Sequence, residues 1–344
     1  MTDIRYYIQA VMLAVLPLLS SCRQELCYNH FPSADIVLSW EQEWERDYGM
    51  NHVVNWDAGL HGFGYESMRP DLPEWVDLVK FRHDGTSEDN FLNIKGGNIS
   101  IDNTTDKSFL LYNGDTEYIV LEDMASLNDA RATTTSRSRS RSALQYLQSI
   151  TPEARTVNPP DLLYGAYVEE LPQVYAHQNH HMPVTMQPLV YTYIIRYEFE
   201  HGLEHVALAR GAMGGMAESV YLRNGVTSDN SAILLYDCSL TDYGCEAHVR
   251  TFGVPSFPDE YYGKAGRPRN VPPVSINLEM RLTNGNYIEF NYDVTDQIDK
   301  QPRGGVIYIR NIRIEDEQNI GSGGGFDVDL SGWGDPVNIE LPLK

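Results

Sequence analysis

The sequence predicts an all-β protein with two domains. Its apolar residues recur at every second position over many short segments, which is the period of a half-buried strand. Gly, Pro, Asn and Asp separate these segments, as they do in β-sandwiches and open barrels. Strands do not alternate with long helical patterns, which argues against a doubly wound fold. A length of 344 residues suits two domains of ordinary size.

The first 21 residues are typical of a lipoprotein signal peptide. Arg5 precedes an apolar segment, Tyr6 to Leu19, which is too short to span a bilayer comfortably as a helix. Leu19-Ser20-Ser21-Cys22 follows and resembles the bacterial lipobox, in which the cysteine is acylated and becomes the mature N-terminus. An ordinary signal peptide with an incidental cysteine is the alternative. We therefore expect lipidation at Cys22, which would attach the chain to outer-membrane lipid.

The charge balance excludes two classes of partner. The chain has 26 Lys and Arg against 48 Asp and Glu, a formal net charge of −22. Nucleic-acid binding requires a surplus of basic residues to neutralise phosphates, so we expect no nucleic-acid partner. Docking to anionic lipid by charge alone is excluded for the same reason.

The predicted strands follow one another along the mature chain. Asp35 to Trp40 begins the series, and Ser108 to Leu121 contains an Asn-Gly-Asp turn that indicates a hairpin. Tyr191 to Phe199 is rich in β-formers, and Ser275 to Tyr292 alternates on both sides of a second turn, Asn284-Gly285-Asn286. Further strands are expected at Val306 to Ile314, Val328 to Leu330 and Val337 to Leu341. Only Glu74 to Val79 and Ser142 to Gln148 have a helical pattern.

A Ser/Arg-rich segment, residues 132–142, lies late in the first domain. It has no apolar side chain after Ala132, so it predicts an exposed loop that a trypsin-like protease could cut after Arg137, Arg139 or Arg141. We expect the N-terminal domain over residues 22–170 and the C-terminal domain over residues 171–344. The second core is expected to start near Met182.

Three further cysteines have to be assigned. Cys238 and Cys245 flank a short turn in a chain that we expect to be exported to an oxidising compartment. This spacing is compatible with a disulfide across the end of a hairpin. Cys27 is left over, and we expect a buried thiol there.

Two histidine patterns raise the question of metal chemistry. His201-Gly202-Leu203-Glu204-His205 matches the H-x-x-E-H motif of some zinc peptidases, which requires both histidines on one face of a helix. Gly202 and the flanking β-formers instead predict the tip of a hairpin. His177, His180 and His181 form a second tract, which lies between prolines. Zinc needs three or four ligands, so we expect no metal at either pattern. We also expect no other cofactor and no catalytic residue.

Several short segments also resemble a known family. They are the lipobox, Leu26-Cys27-Tyr28, Arg131 to Thr134, Pro160 to Gly165, Gly215 to Leu222, Thr251 to Gly253, Asp293 to Gln297 and Gln301 to Ile307. The chain resembles the anchor-type lipoproteins of the fimbrillin-associated superfamily of Bacteroidales. The resemblance implies the fold of that family, which consists of two tandem transthyretin-like (Greek-key) β-sandwich domains. It also implies a lipid-held anchor or accessory subunit of a fimbria.

The sequence therefore predicts a non-catalytic lipoprotein of the outer membrane, exposed at the cell surface, with fimbrial subunits as partners. A cell-surface glycan-binding lipoprotein is the alternative, because exposed Trp and Tyr rings stack on sugars. A metallohydrolase is a remote alternative that depends on the H-x-x-E-H match alone. An open sheet edge would favour fimbrial assembly, whereas an exposed coplanar aromatic pair would favour glycans.

Overall fold

A computed structural model describes residues 32–41, 58–64, 71–139, 144–175, 180–257 and 271–315. These residues form an all-β protein, as the two-residue periodicity predicts. None of the helices in these ranges has the length and apolar composition needed to span a membrane. The lipobox, Cys22 and Cys27 lie outside the described residues, as do the strands predicted after residue 316.

Ten strands belong to residues 32–188. They are β1 (Ser33–Trp40), β2 (Trp75–Arg82), β3 (Ser87–Asn93), β4 (Gly96–Ser100), β5 (Asp106–Asn113), β6 (Ile119–Glu122), β7 (Arg131–Thr134), β8 (Arg155–Val157), β9 (Tyr164–Val168) and β10 (His180–Pro188). Short helices span Ala58–His61 and Gln145–Ile150.

Eight strands belong to residues 191–313. They are β11 (Tyr191–His201), β12 (Val206–Ala217), β13 (Val220–Tyr221), β14 (Ser231–Leu240), β15 (Gly244–Thr251), β16 (Ser275–Leu282), β17 (Tyr287–Asp293) and β18 (Gly305–Arg313). A 3₁₀ turn spans Leu203–His205 and a short helix spans Thr295–Lys300.

The same strand order occurs twice. The first sheet runs β10-β1-β4-β3-β2-β5-β9, and the second runs β18-β11-β15-β14-β12-β16-β17. In each, the first strand of the unit pairs in parallel with the last, β1 with β10 and β11 with β18. The two halves of the chain are thus structural repeats, which is consistent with two tandem domains.

The repeats differ in how they close. In the first, β9 and β10 pair at Tyr164–Pro188 and Gly165–Gln187, and the sheet becomes a closed barrel. In the second, the equivalent strands β17 and β18 stand at opposite ends of the sheet within the described residues.

Three of the four hydrophobic clusters in the described residues form the main cores. One fills the barrel around Leu78 and Phe109, and one fills the second repeat around Tyr193 and Leu278. A third lies between the repeats and includes Phe81, which is buried there against residues of both halves. A small sheet of order β13-β7-β6 lies over this junction, so β7 from the first half pairs with β13 from the second.

Several sequence predictions are wrong in detail. Residues 75–79 belong to strand β2 rather than to a helix, because Leu78 faces the barrel core while Val79 and Phe81 face the junction. Burial on both faces removes the alternation that would have indicated a strand. Residues 108–121 do not form a hairpin, since β5 pairs with β2 and β9 while β6 pairs with β7.

The domain boundary also differs from the one expected at residues 170 and 171. Strand β10, residues 180–188, pairs with β1 along its length and so belongs to the first sheet. Conversely, β8 from the first half pairs with β14 of the second sheet. The helix Gln145–Ile150 packs on the second sheet through Leu147. The first repeat therefore extends to Pro188 and lends a segment to the second.

The Ser/Arg-rich segment is not an exposed loop over its described part, residues 132–139. Ala132, Thr133 and Thr134 are buried in β7. Arg137 donates from its backbone N–H to the carbonyl of Thr156 at 3.0 Å. The prediction fails because an arginine-rich segment can be held by acidic and carbonyl partners that are distant in the sequence.

Candidate functional site

A polar cavity of about 670 Å³ lies at the junction between the two repeats, and we call it the junction cavity. Its residues come from five segments: Glu122; Arg131 and Thr133; Arg155; Glu218, Ser219 and Tyr221; and Val226 to Asn230. Ligand sites of proteins are commonly clefts of about 300–1,000 Å³ at such domain interfaces. The volume and the position therefore both suit a small ligand.

The floor of the junction cavity is one face of the small sheet. Glu122, Arg131 and Tyr221 are direct cross-strand neighbours in β6, β7 and β13. Their chain neighbours Leu121, Ala132 and Val220 point to the opposite face and pack in the junction cluster. Because successive strand residues alternate between faces, burial of the second set fixes the first set toward the cavity.

The arginines of the cavity are held by carboxylates. Nε of Arg131 donates to Glu122 at 2.9 Å, and this contact raises the pKa of Arg131. Arg155 donates to Glu218 at 2.9 Å and to the hydroxyl of Ser136 at 3.1 Å. With Asp229, the cavity carries two cations and three carboxylates, so it has no strong net charge.

The rim of the cavity is fixed by backbone hydrogen bonds. The N–H of Glu218 donates to the carbonyl of Asn230 at 3.0 Å, and that of Tyr221 donates to the carbonyl of Val226 at 2.8 Å. The carboxylate of Asp229 accepts from the hydroxyl of Ser256 at 2.6 Å. The segment is therefore preorganised before any ligand arrives.

The two edge strands of the second sheet, β18 and β17, differ in how they are covered. The helix Thr295–Lys300 and the residue that follows it cover β18 through two glutamines. Gln297 donates to the carbonyl of Tyr308 and accepts from its N–H, both at 2.9 Å. Gln301 does the same at Val306, at 2.7 and 3.1 Å. Each side-chain amide thus replaces the peptide group of a neighbouring strand.

Strand β17 has no such cover in the part of the chain that the structure describes. It pairs along its whole length with β16 and with no strand on its other side. Ile288, Phe290 and Tyr292 pack against the core but stay only partly buried. An unpaired edge next to half-covered apolar side chains can accept another strand.

The first repeat has a smaller opening. Strands β9 and β10 diverge after their two paired positions, and a cavity of about 230 Å³ lies between them. Ala166 and Val168 line one side, and Pro183 and Thr185 line the other. This repeat is closed, but only over a short distance.

The two cysteines predicted to form a disulfide lie together. Cys238 in β14 and Cys245 in β15 flank the hairpin turn, and the structure has both as thiols. A hydrogen bond to Cys245, together with burial, raises the pKa of Cys238 well above its ordinary value. Disulfide formation between them stays a prediction.

The histidine patterns do not form the sites that their motifs suggest. His201 ends β11 and His205 ends the 3₁₀ turn, with Gly202 in the left-handed region at φ 86°. The segment joins strands of different pairings, so it is not a hairpin tip. His180 accepts from the N–H of Tyr175 at 3.0 Å, His181 lies 3.2 Å from Asp35, and His177 lies outside the described residues. In the part of the chain that the structure describes, no group of three or more His, Cys, Asp or Glu is arranged to hold a metal ion.

Among the described residues, the rings of Phe290 and Tyr292 on β17 are stacked, with centroids 6.3 Å apart and planes at 12°, and both side chains are only partly buried. Trp40 packs edge-on against Tyr164, with its indole N–H donating to the carbonyl of Ile94. Trp75 is partly exposed, whereas Trp44, Trp56 and Trp333 lie outside the described ranges. The junction cavity could not be predicted from the sequence, because its residues lie in short polar stretches without a motif.

Solved structures show what this fold is similar to. A candidate adhesin from Bacteroides ovatus superposes with a TM-score of 0.57 and 18% identity, over 85% of this chain and 95% of that one. A candidate polysaccharide-binding protein from Bacteroides thetaiotaomicron gives 0.46 and 7% identity, over 80% and 90% of the two chains. The fimbrial anchor protein Mfa2 from Porphyromonas gingivalis gives 0.39 and 10%, also over 80% and 90%. The first similarity defines the fold, and the other two are too low to carry an argument.

Among curated proteins none matches the chain. A family model does match it, over residues 62–237, which is slightly more than half of its length. The match includes β2 to β13 and most of β14, and so it covers the whole junction cavity. The chain therefore belongs to the family described as domain of unknown function DUF5119.

Proposed function

We propose that the protein is a non-catalytic lipoprotein of the outer membrane that serves as an anchor or accessory subunit of a fimbria. It holds a neighbouring subunit by accepting an extended segment along β17. Each repeat is a transthyretin-like Greek-key sandwich in this proposal, and acylated Cys22 attaches the chain to lipid at the cell surface.

The observation that carries the proposal is the different closure of two repeats with one strand order. The first repeat closes through β9 and β10, whereas β17 is left at an edge in the described residues. The opposite edge, β18, is covered by Gln297 and Gln301. Strand addition is thus directed to β17.

The side chains of β17 specify the incoming segment. Ile288, Phe290 and Tyr292 lie on the core side, and Glu289 and Asn291 lie on the exposed side. A segment with apolar residues at alternate positions would complete the cover of Phe290 while its backbone pairs with β17. In such complexes main-chain hydrogen bonds provide affinity and alternate side chains provide specificity.

Two further observations support this role. The relative from Bacteroides ovatus is described as a candidate adhesin, in keeping with a place at the cell surface. The H-x-x-E-H segment, on which the hydrolase alternative depends, contains a left-handed Gly202 and no α-helix. A non-catalytic role follows more directly than hydrolysis from this geometry.

Site-specific photocrosslinking in the native organism tests the contact. A photoreactive phenylalanine analogue at Asn291, exposed on β17, is expected to crosslink to a fimbrial subunit in membranes. The same analogue at Phe91, which is 75% exposed on β3 of the first sheet, is the matched control. Crosslinks at both positions, or none at Asn291, would refute strand addition at β17. A crosslink from Asn291 to the chain's own residues would show that the chain covers this edge itself.

The anchor is tested separately. Replacing Cys22 with Ala is expected to abolish metabolic labelling by fatty acid and to release the protein from outer-membrane fractions. Retention of the variant in those fractions after a salt wash would contradict the lipid anchor and leave the β17 contact to be judged by its crosslinks.

A further inference from the structure

The junction cavity presents charged groups of both signs, two arginines against three carboxylates, so its net charge is small. Arg131 is paired with Glu122 and Arg155 with Glu218, at 2.9 Å in each case. An anionic ligand would have to displace a carboxylate from an arginine. A metal cation would need a cluster of carboxylates, and the described residues hold none. The charges therefore disfavour both ionic classes of ligand.

The remaining chemistry is that of a neutral ligand with many hydroxyl groups. Carboxylate oxygens that already bind arginine retain further lone pairs, and each guanidinium has five N–H donors. The Ser219 hydroxyl and the Asn230 amide add groups that both donate and accept. A sugar hydroxyl also donates and accepts, so adjacent donors and acceptors on one surface fit it well.

Tyr221 supplies the apolar surface that such a ligand needs. Its chain neighbour Val220 is 1% exposed and anchored in the junction cluster, whereas Tyr221 lies on the cavity side and is partly exposed. Tyr rings combine a flat apolar face with a polar tip, and the C–H face of a pyranose packs on such a ring. Arg131 adjoins the tyrosine in the register and orients hydroxyl groups at the ring edge.

We infer that the junction cavity binds a neutral oligosaccharide, with one sugar ring stacked on Tyr221 and its hydroxyl groups bonded to the Arg131–Glu122 and Arg155–Glu218 pairs. This site goes beyond the proposed fimbrial role, and it lies in the small sheet at the junction rather than on β17. The two activities can be lost independently.

A glycan array that carries neutral, sialylated and sulfated oligosaccharides tests the inference on the full mature chain. Binding to at least one neutral glycan is expected. Titration calorimetry with that glycan should then show that Tyr221→Ala lowers the affinity about tenfold or more, because a stacked aromatic contact and its buried area are removed. Tyr221→Phe keeps the ring and should bind within about threefold of the wild type.

Tyr175→Ala is the control, since Tyr175 is 57% exposed and does not line the cavity. Asn230→Ala, which changes an exposed rim side chain, provides a second cavity variant that does not threaten folding. No binding to any neutral glycan would overturn the inference, and so would binding only to charged glycans. Neutral-glycan binding that survives both Tyr221→Ala and Asn230→Ala would place the site elsewhere and overturn it equally. Crosslinking at Asn291 is unaffected by these variants, so failure here is distinct from failure of the fimbrial role.

Discussion

The side-chain amide of Gln301 occupies the space beside Gly305 that a Cβ would need: a Cβ at Gly305 would overlap Oε1 and Cδ of Gln301. That close approach allows the Gln301 amide to pair with Val306 on the outer edge of β18. The cover of this edge thus depends on one glycine and two glutamines. Natural sheet proteins protect their edges in this manner, since an open edge can template further pairing.

We predict that Gly305→Ala will destabilise the second repeat by displacing Gln301. Two hydrogen bonds of about 0.5–1.5 kcal/mol each are lost, so the free energy of unfolding should fall by about 1–3 kcal/mol. Urea denaturation measures it. Gly64→Ala is the matched control, because a Cβ there meets nothing within 4 Å, and it should stay within about 0.5 kcal/mol of the wild type. Equal stability of Gly305→Ala and wild type would show that Gln301 adds nothing.

The double variant Gln297→Leu with Gln301→Leu should expose the β18 edge and cause self-association. Leucine keeps the approximate size of glutamine but cannot bond the peptide groups of Val306 and Tyr308. Size-exclusion chromatography with light scattering should show dimers or larger species that increase with concentration. Gln173→Leu, at an exposed glutamine outside the sheets, should stay monomeric to the same extent as the wild type. An unchanged oligomeric state in the double variant would mean that other residues protect this edge.

A buried charge cluster holds the Ser/Arg segment. Glu279, 5% exposed at its side chain, binds Arg210 at 2.5 Å and Arg139 at 3.4 Å. Arg139 is equally buried, and burial lowers its pKa. Its Nη1 also donates to the carbonyl of Gly211 at 3.2 Å, while Arg137 donates to the carbonyl of Leu235 at 3.0 Å. One carboxylate therefore compensates two buried cations.

Replacing Glu279 with Gln should lower the free energy of unfolding by about 3–5 kcal/mol, because the buried Arg139 then loses the carboxylate that faces it. Glu289→Gln, at an exposed position paired with Glu279 in the sheet, is the control and should change it by less than about 0.5 kcal/mol. In native wild type, trypsin should not cut first after Arg137 or Arg139, as mass spectrometry of the early fragments would show. Early cleavage there would contradict the packed arrangement.

How much of this could be read from the sequence depended on burial. The hairpin of β16 and β17 was predictable, since β17 alternates between half-buried residues such as Phe290 and exposed ones such as Glu289. Strand β2 was not, because Leu78 and Phe81 are buried in different clusters. Both faces of that strand are apolar, and a short apolar run does not distinguish strand from helix.

The buried charge cluster and the junction cavity were harder still to predict from the sequence. Arg139 and its partner Glu279 are far apart in the chain, and nothing local distinguishes a buried arginine from a solvated one. The junction cavity unites β7 with β13 and the segment that ends at Asn230. A sequence shows such a site only when its residues recur in a motif, and these do not.

Cys238 and Cys245 should form a disulfide in protein exported to an oxidising compartment. They lie on the two paired strands of one hairpin, β14 and β15, on either side of its turn. The tryptic peptide that carries both should then be two hydrogens lighter and resist alkylation after unfolding. Protein made in a reducing cytoplasm should keep both thiols and react slowly with diamide, since the raised pKa of Cys238 leaves little thiolate. Complete alkylation of the exported protein would refute the pairing.

The second core should lose stability at alkaline pH because of two buried tyrosines. The hydroxyl groups of Tyr197 and Tyr236 lie 2.8 Å apart, and burial raises the pKa of each well above the ordinary 10.0. Above about pH 10 the unfolded chain loses these protons while the folded chain keeps them, so the unfolded state binds fewer protons. The free energy of unfolding must then fall as pH rises, by about 1.4 kcal/mol per pH unit for each tyrosine. Cys238 acts in the same direction, starting near its ordinary 9.0.

Urea denaturation of the wild type and of Tyr197→Phe with Tyr236→Phe, from about pH 8 to about pH 11, measures this contribution. The double variant removes both hydroxyl groups together, so neither is left without a partner, and its stability should decline less steeply above pH 10. Tyr175→Phe, at an exposed position, should follow the wild type throughout. If the double variant and the wild type decline in parallel, the two hydroxyl groups ionise in the folded protein as readily as in the unfolded chain. Burial at this pair would then fail to exclude charge, and the closed, buried contact between Tyr197 and Tyr236 would be wrong.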